Sequence, residues 1–525
     1  MRFPFSFRSV FADGPRRASR PVAAALALAL AGCVNYAGIH SDSQIAAPTQ
    51  YATAQSLPAE GAPWPSTDWA TQFGDPQLPK LIDEALEGSP SIAEAQARLA
   101  KASSYIESSR AGLFPKAGAS YSWNRLLLSE NLLPPPFGGT WYSENSVLAS
   151  ASWDLDLWGK NRARLAQAVS QSKAADADLQ QARVTLAASV ASTYNQLAQL
   201  YALRDIAQRE IDDRNTIRSI TNERVTAGLD TNVEQETARG NVATSKTTLS
   251  QLDGLIEVVR YQLAALLGKG PDRGLQIAQP ALGANAPVAL PDNLPADLIA
   301  RRPDIVAARW QVEAALQGVK EAKAEFFPDV NLSASIGLDA LGWGRFLRAS
   351  SRQIEAGPAI HLPIFDAGAL RAQLKGRYAD FDADVANYDK TLVNALSQVA
   401  TQISSIRSSD QQLVDAQQAL DASTRAYELA VVRYRAGLVP QIQVLQADDT
   451  RLAADQTVTN LAMQRRDQQI ALIRALGGGF DAQAVGLAMP PADAAGAAAA
   501  SAPAAQAVVS AATATEPESA SRIPR

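Results

Sequence analysis

A disulfide within the chain is impossible, because its 525 residues include a single cysteine, Cys33. Histidine is almost as scarce. With only His40 and His361, far apart in the sequence, neither a histidine-rich metal cluster nor a catalytic triad can be built. No G-x-S-x-G elbow and no G-x-x-x-x-G-K-[ST] loop occurs, so serine-hydrolase and P-loop chemistry lack support, and no catalytic residue is assigned. No apolar run reaches the ~20 residues that a membrane-spanning helix needs. Positive charge is also short: a net charge of −5 argues against nucleic acid as a partner.

What the chain does have is 47% hydrophobic residues with only 6% aromatics, and many Ala, Leu, Gln and Arg. That composition favours long helices over a sandwich or a doubly wound sheet. The first twenty residues carry Arg2, Arg8, Arg16, Arg17 and Arg20, followed by an apolar run from Val22 to Ala31, the layout of a bacterial signal sequence over residues 1–32. Its end, Leu30-Ala31-Gly32-Cys33, resembles the lipobox of lipoprotein signal peptidase substrates. That resemblance implies covalent lipid on Cys33 and no other cofactor. Three acyl chains at ~0.8 kcal/mol per buried CH₂ would anchor the chain firmly in a lipid surface. Val34, rather than Asp, after the cysteine favours sorting to the outer membrane. Loss of five Arg and one Asp with residues 1–32 would take the net charge from −5 to −9.

The sequence repeats itself, and a repeat decides the architecture. Pro90-Ser91-Ile92-Ala93-Glu94-Ala95 matches Pro303-Asp304-Ile305-Val306-Ala307-Ala308, and Leu113-Phe114-Pro115 matches Phe326-Phe327-Pro328, both at an offset of 213. Gly159 and Arg162 pair with Gly368 and Arg371, and Thr226-Ala227-Gly228-Leu229 pairs with Arg435-Ala436-Gly437-Leu438, both at 209. The four-residue drop falls between Pro328 and Gly368.

Within that window and its counterpart, four segments alternate between apolar and mostly small or polar residues, which predicts strands. Ala117, Ala119, Tyr121 and Trp123 form one apolar face; Val147, Ala149, Ala151, Trp153 and Leu155 a second. Val330, Leu332, Ala334, Ile336 and Leu338 form a third, and Ile354, Ala356, Ile360 and Leu362 a fourth. Each half therefore holds one hairpin. Four strands cannot close a barrel, and an open edge in lipid leaves backbone groups unsatisfied, so a barrel built from them requires several chains.

After each hairpin comes a proline-free stretch, Lys160 to Ala227 and Ala369 to Ala436, each roughly 100 Å long as a helix. The spacing of Leu179, Leu186, Val190 and Leu197 suits a coiled-coil seam. Gly228 and Gly437 predict helix ends, with return helices over about 232–267 and 441–476. The helices before the hairpins, 91–113 and 304–326, would stack on the return helices to match the long rod. The expected organisation is an anchored segment over 33–88, a first repeat over 89–267, a linker over 268–297 and a second repeat over 298–476. Residues 477–487 close the chain's equator, and an Ala/Pro-rich tail over 488–525 is expected to be disordered. Segments 33–88, 268–297 and 477–487 would form a mixed equatorial belt.

Two copies of helix, hairpin, long helix and return helix behind a lipobox resemble outer-membrane efflux proteins of the TolC and OprM type, the NodT group in particular. The motifs that carry the likeness are Trp69-Ala70-Thr71-Gln72-Phe73-Gly74-Asp75-Pro76-Gln77-Leu78, Leu294-Pro295-Ala296-Asp297-Leu298-Ile299-Ala300-Arg301-Arg302-Pro303-Asp304-Ile305 and Tyr434-Arg435-Ala436-Gly437. The resemblance covers roughly residues 60–485. It implies a mainly α fold with β: a homotrimeric duct joining a helical coiled-coil barrel to a twelve-stranded β-barrel in the outer membrane, four strands per chain. It also implies a periplasmic adaptor, an inner-membrane resistance-nodulation-division transporter, and passive export of small toxic compounds. A type I protein-secretion duct would use the same fold, whereas a structural envelope lipoprotein would not need amphipathic strands.

In such proteins the turns at Gly228 and at Tyr434, Arg435, Ala436 and Gly437 form the periplasmic tip, where the duct narrows. The family often places acidic residues beyond the second turn. Here Gln441, Gln443 and Gln446 stand there, with Asp448 and Asp449 slightly later, so Gln443 and Gln446 would give a polar constriction without charge. Asp230, Glu234 and Glu236 beyond the first turn are further lining candidates, and no metal ligand set is expected.

Overall fold

The computed structural model describes residues 35–488 apart from 48–49, 59, 133, 284–288 and 293. Cys33 with Leu30, Ala31 and Gly32, and the tail, lie outside the described residues.

The repeat read from the sequence is an architectural repeat. In the first half, α1 (Gln77–Gly88) and α2 (Pro90–Ala111) precede strands β1 (Lys116–Leu127) and β2 (Trp141–Asp154). Then come the 67-residue helix α3 (Lys160–Thr226) and the return helix α4 (Asn232–Leu266). The linker contains α5 (Pro271–Leu275) and leads into α6 (Leu294–Arg301). The second half repeats the plan with α7 (Pro303–Ala324), β3 (Asp329–Leu341), a short helix α8 (Trp343–Phe346) and β4 (Arg352–His361). The 67-residue α9 (Ala369–Arg435) and α10 (Gln441–Ala475) complete it. Pro90 and Pro303 each occupy the first turn of their helix, where a missing N–H costs nothing. Both long helices start after a left-handed glycine, Gly159 at φ 84° and Gly368 at φ 89°.

The two hairpins are not separate. β2 pairs antiparallel with β3 as well as with β1, giving one four-stranded sheet in the order β1-β2-β3-β4. Register puts Tyr121 beside Val147, Val147 beside Leu338 and Leu338 beside Arg352, so the apolar residues of all four strands share one face. That face is covered by almost nothing: Asn145 is the sole buried position among the strand residues. Among the described residues the ladder ends at β1 on one side and β4 on the other, each with an unpaired backbone edge.

Core packing is concentrated at the chain's equator. Leu186, Val190, Tyr194 and Leu197 of α3 pack with Trp69, Phe73, Leu81 and Ile92, while Leu57, Leu290 and Leu298 cover Leu392 and Val399 of α9. Helix α1 lies inside the segment expected to join a mixed belt. It is a short amphipathic helix with Leu78, Leu81, Ile82 and Ala85 turned inward.

The two signature motifs in this region act as fasteners. Tyr194 Oη, fully buried, donates to Asp75 Oδ2 at 2.6 Å, and Asp75 Oδ2 also accepts from Ala281 N at 2.7 Å. Arg302 donates to the Ala475 carbonyl at 2.8 Å, to Gln398 Oε1 at 3.0 Å and to Asp304 Oδ2 at 2.6 Å. One guanidinium thereby ties the start of α7 to α9 and to the end of α10.

Candidate functional site

The end of the rods farthest from the sheet is where the sequence placed its site residues. Both long helices end identically there. Gly228 (φ 71°) donates to the Val225 carbonyl and Leu229 to the Arg224 carbonyl; Gly437 (φ 75°) donates to Tyr434 and Leu438 to Arg433. These pairs are Schellman caps, which need a residue at positive φ and so favour glycine. The return helices start differently. Thr231 and Glu234 form a reciprocal capping box on α4, whereas Pro440 precedes α10 with no side-chain cap.

The caps bring four helix ends together around Tyr434, which is wholly buried with Ile217, Val444 and Leu445. Its Oη donates to Asp230 Oδ2 at 2.6 Å and lies 3.0 Å from Thr221 Oγ1. Arg224 grips Asp230 with two bonds, Nε to Oδ2 at 2.9 Å and Nη2 to Oδ1 at 3.0 Å. A third bond runs from Arg224 Nη1 to the Tyr434 carbonyl at 3.0 Å, and the guanidinium sits 4.6 Å from the Tyr434 ring centre. Gln441 Nε2 donates to Thr221 Oγ1 at 2.8 Å and to the Glu234 carbonyl at 3.3 Å. One knot thus joins the first turn to the second.

Its electrostatics follow from these contacts. Bonds from Arg224 hold the Asp230 carboxyl below its usual range, against the opposing effect of burial and with help from Tyr434. Burial, reinforced by Asp230, pushes the Tyr434 phenol up.

A second cluster lies farther up the rods. Arg214 of α3 meets Glu210 at 2.9 Å and Asp449 at 2.6 Å, and Arg451 of α10 meets Asp213 at 2.5 Å and Asp448 at 2.9 Å. Asp448 is fully buried, which raises its pKa despite both arginines. Burial also pushes Tyr427, 4.6 Å beneath the Arg451 guanidinium, up to about 12. Polar links continue along the α3–α10 seam through Arg209–Asp455, Gln199–Asn460 and Ser192–Asp467.

The sequence-predicted residues therefore separate into groups. Asp230 and Glu234 are engaged within the chain, the first by Arg224 and Tyr434 and the second by Thr231. Gln441, grouped in the sequence with Gln443 and Gln446, is buried in the knot, while those two are exposed. Glu236 is exposed and meets Arg239 at 3.5 Å. Arg224 and Thr221 escaped the sequence reading; the available signal was an arginine six residues before an aspartate across a glycine turn. Among the described residues no group of three or more His, Cys, Asp or Glu is placed to hold a metal ion. Among the same residues no helix is long and apolar enough to cross a membrane.

Comparison with known proteins agrees with this geometry. Residues 81–269 and 294–478 match the family described as outer membrane efflux protein. The chain is 30% identical over 468 residues to the multidrug resistance outer membrane protein MdtP of Shigella flexneri, covering 87% of this chain and 95% of that protein. It is 36% identical over 321 residues to the fusaric acid resistance protein FusA of Burkholderia cepacia, 60% of each chain. The crystal structure of the outer membrane protein VceC of Vibrio cholerae superposes with a TM-score of 0.73 at 34% identity, covering 80% of this chain and all of that one. The outer-membrane channel OprN gives 0.74 at 28% identity, over 85% and 99%.

Proposed function

Because the chain belongs to the outer membrane efflux protein family, we propose that three copies close into one duct through which small toxic organic compounds leave the cell. The observation that carries this reading is the sheet. Its two edges are open, one face is apolar and largely uncovered, and the other is lined mostly by small and polar residues. Such a sheet fits a barrel wall with lipid outside and water inside, and three of them supply twelve strands. Closure by neighbouring copies satisfies the β1 and β4 edges, which could not remain open in lipid.

On this reading the 67-residue helices carry the duct roughly 100 Å from the barrel into the periplasm. The knot around Tyr434 stands at the far end, where a periplasmic adaptor and an inner-membrane resistance-nodulation-division transporter would engage. The exposed side chains of Gln443 and Gln446 are the candidates to line the constriction, since Asp230 and Glu234 already have partners. The duct itself performs no chemistry and the transporter supplies the energy. Lipid on Cys33 would hold the chain to the outer membrane.

Growth of a deletion strain on a panel of toxic organic compounds, with its secreted proteins compared in parallel, tests the cargo. Sensitisation with an unchanged set of secreted proteins is expected. Loss of a secreted protein without sensitisation would assign the duct to type I secretion instead.

A further inference from the structure

Charge is sorted across the sheet. The register places Glu144, Asp154, Asp329, Asp339 and Glu355 on the face with the small and polar residues. On the apolar face there is no carboxylate, and its two charged residues are arginines, Arg125 and Arg352. Both stand at the end of the strands away from the long helices. An unpaired cation on a lipid-facing surface is costly near the bilayer centre and tolerated only near the headgroups.

The β3–β4 connection adds to this end. Phe346 of α8 is buried, its ring centre 6.3 Å from that of Tyr121 and 6.2 Å from that of Trp343. Tyr121 belongs to the apolar face, so α8 folds over the outside of the sheet. It covers the level of Asn145, which explains that residue's burial there. Residues 342–352 hold Arg345, Arg348 and Arg352 and no acidic residue, and among the described residues none of the three forms an ion pair. The connection is nonetheless built. Gly342 donates to the Ser143 carbonyl at 2.6 Å, Ser351 Oγ to the Arg345 carbonyl at 2.8 Å, and Arg352 Nε to the Ala349 carbonyl at 2.9 Å. Beside the arginines, Trp343 is 63% and Leu347 82% exposed. Exposed apolar side chains flanked by cations are the pattern of a segment lying at a headgroup boundary.

We propose that Arg345, Arg348 and Arg352 form a docking site for the phosphorylated glycolipid of the outer leaflet, with Trp343 and Leu347 seated among its acyl chains. Guanidinium groups bind phosphate oxygens in pairs of parallel hydrogen bonds, and three unpaired ones in eight residues suit a headgroup bearing more than one phosphate. The site rests on the barrel reading above, which sets which end of the sheet faces outward.

The test uses the full-length protein in detergent, titrated with fluorescent bisphosphorylated lipid A, fully dephosphorylated lipid A and phosphatidylglycerol. The triple variant R345S/R348S/R352S should bind the bisphosphorylated lipid at least about tenfold more weakly than the parent, and the triple lysine variant, which keeps the charge but loses the paired bonds, should fall between the two. Equal affinity of parent and serine variant, or parental binding that does not distinguish the three lipids, would overturn the proposal. Should the triple serine variant fail to assemble, R345S and R348S, both on the exposed connection, carry the same comparison. Fractionation of the parent separates the two readings: an outer-membrane, SDS-resistant trimer with no lipid preference removes only this site, whereas a parent absent from that fraction removes both.

Discussion

The phenol of Tyr434, at the end of one long helix, donates across the tip to Asp230 beyond the end of the other, at 2.6 Å. The two residues are 204 positions apart and belong to different repeats. The bond ties together two helix ends that are each capped by their own backbone.

Tyr434→Phe removes that bond and leaves Arg224 as the main partner of Asp230. A buried bond to a charged acceptor makes the expected cost about 1.5–3 kcal/mol, with earlier proteolysis near Gly228 and Gly437 and a higher conductance in planar bilayers. Unchanged protease sensitivity and conductance would show that the bond does not hold the tip.

The same knot sets a pH response. The folded Asp230 carboxyl titrates below its ordinary value, so its contribution is fully present above the unfolded pKa of about 3.9 and is lost as pH falls through the lower folded value. The tip should stay protease-resistant down to about pH 4 and loosen only in stronger acid. Asp230→Asn should remove this step; a step that persists in the variant would place its origin elsewhere.

Asp448 contrasts with Asp230. Its carboxyl is buried, one of its oxygens has no hydrogen-bond partner among the described residues, and its pKa is raised by that burial. Each arginine beside it retains another carboxylate, Arg214 with Asp449 and Arg451 with Asp213. Asp448→Asn is therefore expected to cost less than Asp230→Asn in the thermal unfolding of the purified protein, and the opposite ranking would contradict the account.

On the sheet, Leu332 lies on the apolar face beside Trp153 and Pro358, and Ser333 on the opposite face. Leu332→Asp should lower the yield of SDS-resistant trimer, since a carboxylate facing lipid costs on the order of 2 kcal/mol or less according to depth. Ser333→Asp should assemble normally. Equal yields would refute the assignment of the faces.

Much of this molecule was legible in the sequence because its signals are local. Alternation marked all four strands despite Leu148, and the matched glycines at 228 and 437 marked helix ends that share one cap geometry. The pairing of β2 with β3 was not legible, since it joins two repeats and no turn sequence specifies it. Helix α1 was hidden by the Pro- and Gly-rich segment around it. Gln441, Gln443 and Gln446 read alike in the sequence, yet only Gln441 turns toward the buried Thr221, because which face of α10 is covered depends on α3. Arg224 had no local signature beyond its spacing from Asp230.

Closure of the open edges β1 and β4 on neighbouring copies can be read by cross-linking across them. Cysteines at Ala119 in β1 and, one at a time, at Ile354, Ala356 or Pro358 in β4 share the apolar face. On oxidation in isolated outer membranes, at least one pair should give covalent dimers and trimers and nothing larger. Monomer alone at every pair, or a ladder running beyond three, would contradict a closed duct of three chains.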